Sequence, residues 1–266
     1  MKLLIASDTH LESRTSGSIL PLIPESAFYM NSIDVIVLAG DINSAINLGT
    51  TIDQMAETFP GVPIVYTTGN HEYYSRTFLM PEINAMIKDI ENDIPEFHYL
   101  QNESIEINGV RFYGGTMWSG LECQYPTFPI NDHDMIRLAR SKHINIDDIR
   151  SMFNNFCEGL EKFIESGDMK KSIVVSHFSP SLDFNNPFVK CKTTDDLAMA
   201  KYFSANMDHI IDDPEKCPFM WVYGHNHFSM DETRKSGCRV LSNQIGYQHF
   251  ENNNFQNKFR IFDIDI

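Results

Sequence analysis

No apolar run in this chain approaches the roughly 20 residues that a membrane-spanning helix needs, so no membrane partner is expected. The N-terminal MKLLIASD carries one lysine and a very short apolar stretch, without the cleavage pattern of a secretory leader. Basic residues are few: 21 Lys and Arg stand against 36 Asp and Glu, a formal net charge of −15. Such a balance repels polyanions and disfavours long duplex nucleic acid, yet admits a small phosphorylated partner where bound cations reverse the local sign. Cysteines are sparse, odd in number and never spaced C-x-x-C: Cys123, Cys157, Cys191, Cys217 and Cys238. They suit free thiols in a reducing compartment, and a cytoplasmic protein is expected. There is no G-x-x-x-x-G-K-[ST], no dinucleotide fingerprint and no G-x-S-x-G, so nucleotide-cofactor and serine-hydrolase chemistries lack support. No linker rich in Pro, Gly or Ser, no charge block and no internal repeat divides the chain, and residues 1–266 read as one domain.

What is there is a series of short apolar runs, each ending in a polar or glycine-bearing loop. KLLIA leads into SDTH, DVIVLA into GDIN, VPIVYT into TGNHE, SIVV into SHFSP, and FMWVY into GHNH. Their Val, Ile and aromatic content suits buried strands. Helical spacing marks TIDQMAETF, PEINAMIKDIEN, IDDIRSMFNNFCEGLEKFIES up to Gly167, and TTDDLAMAKYFSANMDHIID. Strands alternating with helices predict an α/β protein. SIEINGVRFYGG, with a hairpin turn at Asn108-Gly109, and the strand-like CRVLSNQ and KFRIFDIDI point to two mixed sheets. The segment 114–140 is irregular, as segments over functional sites often are.

The polar loops gather the chemistry. Five of the ten histidines, His10, His71, His177, His225 and His227, sit in them with Asp8, Asp41 and Asn70. Loops beyond the carboxyl ends of strands converge at one sheet edge even when remote in sequence. Glycine precedes a candidate ligand in Gly40-Asp41, Gly69-Asn70 and Gly224-His225, where it is expected to permit tight turns. His98, His143, His209 and His249 fall outside the pattern and read as structural or surface residues.

In order, the set D-x-H, G-D, G-N-H-E, S-H and G-H-x-H resembles the calcineurin-like metallophosphoesterases, over residues 7–227. The resemblance implies a four-layer sandwich of two mixed β-sheets flanked by helices. It also implies two divalent metals (Mn, Fe or Zn) ~4 Å apart that hydrolyse a phosphate ester with a bridging hydroxide as nucleophile. By the same resemblance Asp8, His10 and His227 hold one metal, Asn70, His177 and His225 the other, and Asp41 bridges them. His71 then contacts the phosphate and protonates the leaving oxygen. Glu72 reads either as a partner of His71 or, preferably, as a solvated acid. Many relatives carry a second histidine where this chain has Phe178, which implies a more apolar pocket wall.

Phosphorylated small molecules, nucleotides and phosphoproteins are the expected substrates. A phosphodiesterase or nuclease, or a non-catalytic scaffold of the same fold, are the alternatives. The 114–140 segment is expected to cover the centre, with His133 and Arg137 as substrate contacts and Trp118 either a stacking surface or core.

Overall fold

The computed structural model of the chain describes residues 1–29, 33–120, 130–184, 193–248 and 258–266. Along it, β1 (Lys2–Ala6) and β2 (Val35–Ala39) lead through α1 (Ala45–Thr58) to β3 (Ile64–Thr67), and through α2 (Met80–Asp93) to β4 (Phe97–Tyr99). The hairpin β5 (Glu103–Ile107) and β6 (Val110–Gly115) follows, then α3 (Asn131–Met135), the short strands β7 (Arg137–Ala139) and β8 (Lys142–His143), and α4 (Ile146–Glu165). β9 (Ser172–Ser176), α5 (Thr194–Tyr202), α6 (Asp208–Ile211), β10 (Met220–Tyr223), β11 (Met230–Thr233), β12 (Arg239–Ser242) and β13 (Arg260–Asp263) complete the chain.

Strand alternation builds the layers. One sheet runs β13-β1-β2-β3-β4, parallel except for β13 at its edge. The other runs β11-β12-β10-β9-β6-β5, with four parallel strands between antiparallel edges. Successive side chains of a strand point to opposite faces. Leu3, Ile5, Val35 and Val37 therefore meet Phe112, Ile173, Val175 and Val222 between the sheets. Leu4, Ala6, Ile36 and Leu38 face the other way and join a core with Leu48 and Ile52 of α1 and Ile83 and Ile87 of α2. On the far side, α4 is pinned by the Tyr113 hydroxyl, which donates to the Phe156 carbonyl at 2.7 Å. The result is the expected four-layer sandwich of two mixed sheets flanked by helices. A parallel bridge between Ser7 and Gln244, just past β1 and β12, ties the two sheets together at their carboxyl edge.

The predicted strands form at the apolar runs, and Asn108 and Gly109 take φ of 53° and 80°, as a tight hairpin turn requires. One predicted helix divides. TTDDLAMAKYFSANMDHIID becomes α5 and α6, because Ser204 leaves the helix to bridge Ser179. The Ala205 and Met207 amides donate to the Ser179 and Pro180 carbonyls at 2.8 and 2.9 Å, and Ser204 Oγ turns back onto the Ala200 carbonyl. These non-local bonds, with serine and asparagine competing for helical backbone, override the apolar spacing.

Residues 121–129 of the irregular segment lie outside the described residues, as do Cys123, Cys191 and His249. Cys157, Cys217 and Cys238 are free thiols. Trp118 is core: it is buried, with its ring 6.1 Å from Tyr73 and 5.5 Å from Phe178. Among the described residues no helix is long and apolar enough to cross a membrane.

Candidate metal centre

The site begins as a backbone feature. Asp8, His10, Asp41, His225 and His227 all hold left-handed backbone, with φ of 52°, 44°, 54°, 78° and 53°. Each such residue costs roughly 1–2 kcal/mol. Five together at one sheet edge mark strain retained for function. The loops are laced to one another: the Asp8 amide donates to Gly40, His10 to Asp41, Gly246 to Asp8 and Gly224 to His177.

Two of the three glycines, Gly69 and Gly224, serve a different purpose from the one their sequence position suggests. Only Gly40 is left-handed, at φ 84°. A Cβ on Gly69 would collide with the Asp41 carboxylate, and one on Gly224 would stand 2.6 Å from Asp8 Oδ2. They keep space open for the carboxylates rather than making turns.

Seven side chains then converge in two overlapping groups, and His71 forms a third with His10 and Asp41. In the first, donor atoms of Asp8, His10 and His227 lie within 4.8 Å of one another, with His10 Nε2 3.1 Å from His227 Nε2 and His227 Nε2 3.5 Å from Asp8 Oδ1. In the second, Asp41, His177 and His225 are grouped as closely. His177 Nε2 is 3.2 Å from Asn70 Oδ1, 3.2 Å from His225 Nδ1 and 3.3 Å from Asp41 Oδ2. Asp41 Oδ2 also lies 3.8 Å from His10 Nε2, so it belongs to both groups.

The outer hydrogen bonds say which atoms face inward. His10 Nδ1 abuts Glu12 Oε1 at 3.0 Å and His177 Nδ1 abuts the Ala39 carbonyl at 2.8 Å. Both partners only accept, so Nδ1 carries the hydrogen and Nε2 turns a lone pair inward in the neutral ring. For His225 the inward atom is Nδ1. Its buried Nε2 has no hydrogen-bond partner among the described residues, and the ring is clamped by Phe178, stacked at 4.0 Å, and the edge of Phe203 at 4.6 Å. Phe178 thus braces a candidate ligand directly.

Acceptors facing acceptors at these distances need positive charge among them. Burial opposes a charged His177 ring, yet Asp41 and Asp8 outweigh it and raise the ring to about 10. Burial likewise opposes ionisation of Asp41, but His177, His71 and His10 hold it well below the usual carboxylate range. The cluster draws in protons where no metal cation is present. The mixed imidazole, carboxylate and amide donors fit a pair of divalent transition-metal ions. Because the raised folded-state value keeps His177 protonated below about 10, cation binding at neutral pH displaces that proton. Mn²⁺ affinity is therefore expected to rise as the pH is raised from the acid to the alkaline side of neutrality. Calorimetry in buffers of differing ionisation enthalpy should show proton release; pH-independent affinity with no release would contradict this charge balance.

His71 sits at the mouth of the cluster. Its amide donates to Asp41 Oδ1 at 2.8 Å, its Nδ1 lies 3.6 Å from Glu12 Oε1, and its Nε2 is 3.2 Å from the Tyr247 hydroxyl. Burial disfavours its charge, but Asp41 and Glu12 raise it to about 9. Glu72 is no solvated acid. It is buried and accepts the amides of Gly69 and Ile42 at 2.7 Å and of Asp41 at 3.1 Å, which locks two ligand loops together. Burial, then the charge of Asp41, raises it to about 7.

A cavity of about 310 Å³ opens over the cluster, lined by Asp41, Asn70, His71, Tyr74, Asp132, Phe203 and Tyr247 among others. Neither His133 nor Arg137 lines it. His133 Nδ1 meets the Ile144 carbonyl at 2.9 Å, and Arg137 donates to the Arg76 carbonyl at 2.7 Å. Of the tyrosines after G-N-H-E, Tyr73 is core and Tyr74 is a cavity wall. Sequence reasoning passed over Glu12, Asp132, Tyr247 and Gln244. Gln244 is buried and supports the second histidine pair, accepting from the His227 amide and donating to Asn226 Oδ1 at 2.6 Å.

Comparison with known proteins places this geometry. An uncharacterised protein, L509, of Acanthamoeba polyphaga mimivirus is 25% identical over 250 residues, 88% of this chain and 85% of that one. The crystal structure of TT1561 from Thermus thermophilus shares the fold at a TM-score of 0.53 and 13% identity, covering 91% of this chain and 88% of that one. The family model for calcineurin-like phosphoesterases matches residues 1–229. With the donor clusters at the shared carboxyl edge of its sheets, the chain belongs to the calcineurin-like phosphoesterase family and is a metal-dependent phosphoester hydrolase.

Proposed function

We propose that this chain hydrolyses phosphate esters at a two-cation centre. Asp8, His10 and His227 hold one ion, Asn70, His177 and His225 the other, and Asp41 serves both. The observation that supports this reading most is the pair of inward-facing donor groups sharing Asp41 Oδ2, 3.3 Å from His177 Nε2 and 3.8 Å from His10 Nε2. Divalent ions held by these residues (Mn, Fe or Zn) would supply positive charge for the phosphoryl oxygens and acidify water enough to provide hydroxide near neutral pH. The protein contributes the rest. Asp41 and Glu72 fix the ligand loops against each other, and Phe178 and Phe203 keep water from the outer face of His225. His71, with Glu12 beside Nδ1 and Tyr247 beside Nε2, gives a proton to the departing oxygen. Residues 1–266 act as one unit, since β13 pairs with β1 and the site draws on both sheets.

A phosphodiester is the favoured substrate class within this reading. No lysine or arginine lines the described part of the cavity, which leaves a doubly charged monoester less well compensated than a singly charged diester. The diester belongs to a small molecule or a nucleotide, with a phosphoprotein as the monoester alternative, in a non-membrane setting, and long duplex nucleic acid is disfavoured by the charge of −15. The test uses chelator-stripped protein reconstituted with Mn²⁺ and presented with nitrophenyl phosphate and bis-nitrophenyl phosphate. Turnover is expected, with the higher kcat/KM on the diester. A higher value on the monoester would reverse the substrate preference, and no turnover of either with two ions bound would favour a non-catalytic scaffold.

A further inference from the structure

We infer that Asp132 is a positioning residue of the centre: it fixes the side-chain amide of Asn70 so that the oxygen, not the nitrogen, faces the second cation. The inference rests on the two-cation reading above.

Asn70 brings an amide to the donor set, and an amide is ambiguous. Turned by 180°, it would offer NH₂ to the cluster, and a protonated nitrogen cannot hold a cation. Something must decide between the two orientations, and the neighbours of Nδ2 do so. It donates to Asp132 Oδ1 at 2.9 Å and to the Tyr74 hydroxyl at 3.1 Å. The Tyr74 hydroxyl gives its single hydrogen to Asp132 Oδ1 at 2.7 Å, so only its lone pairs face Asn70. Both positions around Nδ2 are thus acceptors, and both depend on the Asp132 carboxylate. A flipped amide would press its carbonyl oxygen against a carboxylate oxygen and a hydroxyl lone pair. The observed orientation leaves Oδ1 beside His177 Nε2 at 3.2 Å, within the second donor group.

Asp132 is built for this. It is 1% exposed and pairs with no lysine or arginine at salt-bridge distance among the described residues. Its second oxygen accepts the Tyr202 hydroxyl at 2.8 Å. One carboxylate from α3 therefore joins the β3 loop to α5, across 62 residues in one direction and 70 in the other. A buried carboxylate held only by neutral donors is costly; the charge that compensates it lies through the Asn70 amide, at the cation position. Hydrogen bonding from a carboxylate polarises the amide and makes its oxygen a stronger donor, as carboxylates do for metal-bound imidazoles.

The test is titration of chelator-stripped protein with Mn²⁺, read by calorimetry and by electron paramagnetic resonance, with thermal unfolding in chelator recorded for each variant. Wild type is expected to bind two ions. Asp132→Asn, nearly isosteric, is expected to bind one of them roughly 10- to 100-fold more weakly and the other unchanged. The decisive comparison is with Asn70→Asp, which sets two carboxylates against each other. Adding Asp132→Asn to that variant turns the pair around, so that the amide now on α3 donates to the carboxylate now on the β3 loop, and is expected to tighten the weakened site. The same substitution thus weakens binding in one background and strengthens it in the other, which a loss of fold does not produce. Fewer than two ions on wild type overturns the two-cation reading and this inference with it. Two ions on wild type, with Asp132→Asn binding both as tightly, or with the double variant no tighter than Asn70→Asp, overturns the role of Asp132 alone.

Discussion

Replacing Asp41 with asparagine should cut turnover of a phosphoester by roughly 10³-fold, because several kcal/mol of transition-state charge stabilisation passes through the cations this residue helps to hold. Asparagine is the informative change. Asp41 sits at φ 54°, a conformation that asparagine tolerates and alanine resists. The amide can still accept from the His71 backbone, which now donates to Asp41 Oδ1 at 2.8 Å. What disappears is one negative charge at the carboxylate that reaches both donor groups, so both ions should weaken together. The cation-free protein should also lose stability. There His177, His71 and His10 hold the Asp41 carboxyl ionised, well below its ordinary range, so removing its charge leaves buried protonated rings uncompensated and should lower the melting temperature in chelator at neutral pH. Metal analysis after gel filtration, activity and thermal unfolding would be measured on the same preparation. Two retained ions with undiminished turnover would remove Asp41 from the shared position, and a melting temperature in chelator at or above that of wild type would contradict the charge balance of the cation-free site.

The sandwich and most of the centre were legible in the sequence for one reason: both arise at the same places. Apolar runs of strand length fix the parallel strands, and the polar residue just past each run is delivered to the common edge. That rule brings Asp8, Asp41, Asn70, His177 and His225 to the edge, and the resemblance to calcineurin-like phosphoesterases is what marks them as candidate ligands. The rule fails where a side chain enters from elsewhere. Tyr247 reaches His71 across 176 residues, and Glu12 serves two rings whose contact no local pattern announces. At α3 the limit is of a different kind. His133 and Arg137 are the expected substrate contacts, but neighbours on a helix diverge by about 100°, and among the described residues it is Asp132 that lines the cavity. The glycines show a third limit. Gly69 and Gly224 stand before ligands as a turn would predict, yet their role is the absence of a Cβ beside Asp41 and Asp8, which only the folded arrangement reveals. The division of α5 from α6 follows from the Ser179–Ser204 bridge, a partner outside any local window.

His71→Ala should lower kcat by roughly 10²- to 10⁴-fold while both cations stay bound, the range expected for loss of a general acid. His71 stands outside the proposed ligand sets, although its ring lies beside His10 and Asp41. Its backbone amide donates to Asp41 Oδ1, a bond alanine keeps, while the ring stands between Glu12 and Tyr247 at the cavity mouth. Burial opposes the charge of Glu12, yet hydrogen bonds from His10 and His71 outweigh it and hold the carboxyl low, at about 2. Glu12 therefore stays ionised and keeps a proton on the His71 ring. The leaving group supplies the discriminating readout. Nitrophenolate departs without help, whereas an alkoxide needs a proton as the bond breaks. The loss on His71→Ala should accordingly be much larger for an alkyl ester than for a nitrophenyl ester of the same phosphate. Comparable losses on both would assign His71 to holding the phosphoryl group rather than to proton transfer. Loss of one cation from the variant would instead move the residue into the metal-binding set, since a ring nitrogen of His71 lies within 4.8 Å of donor atoms of both His10 and Asp41.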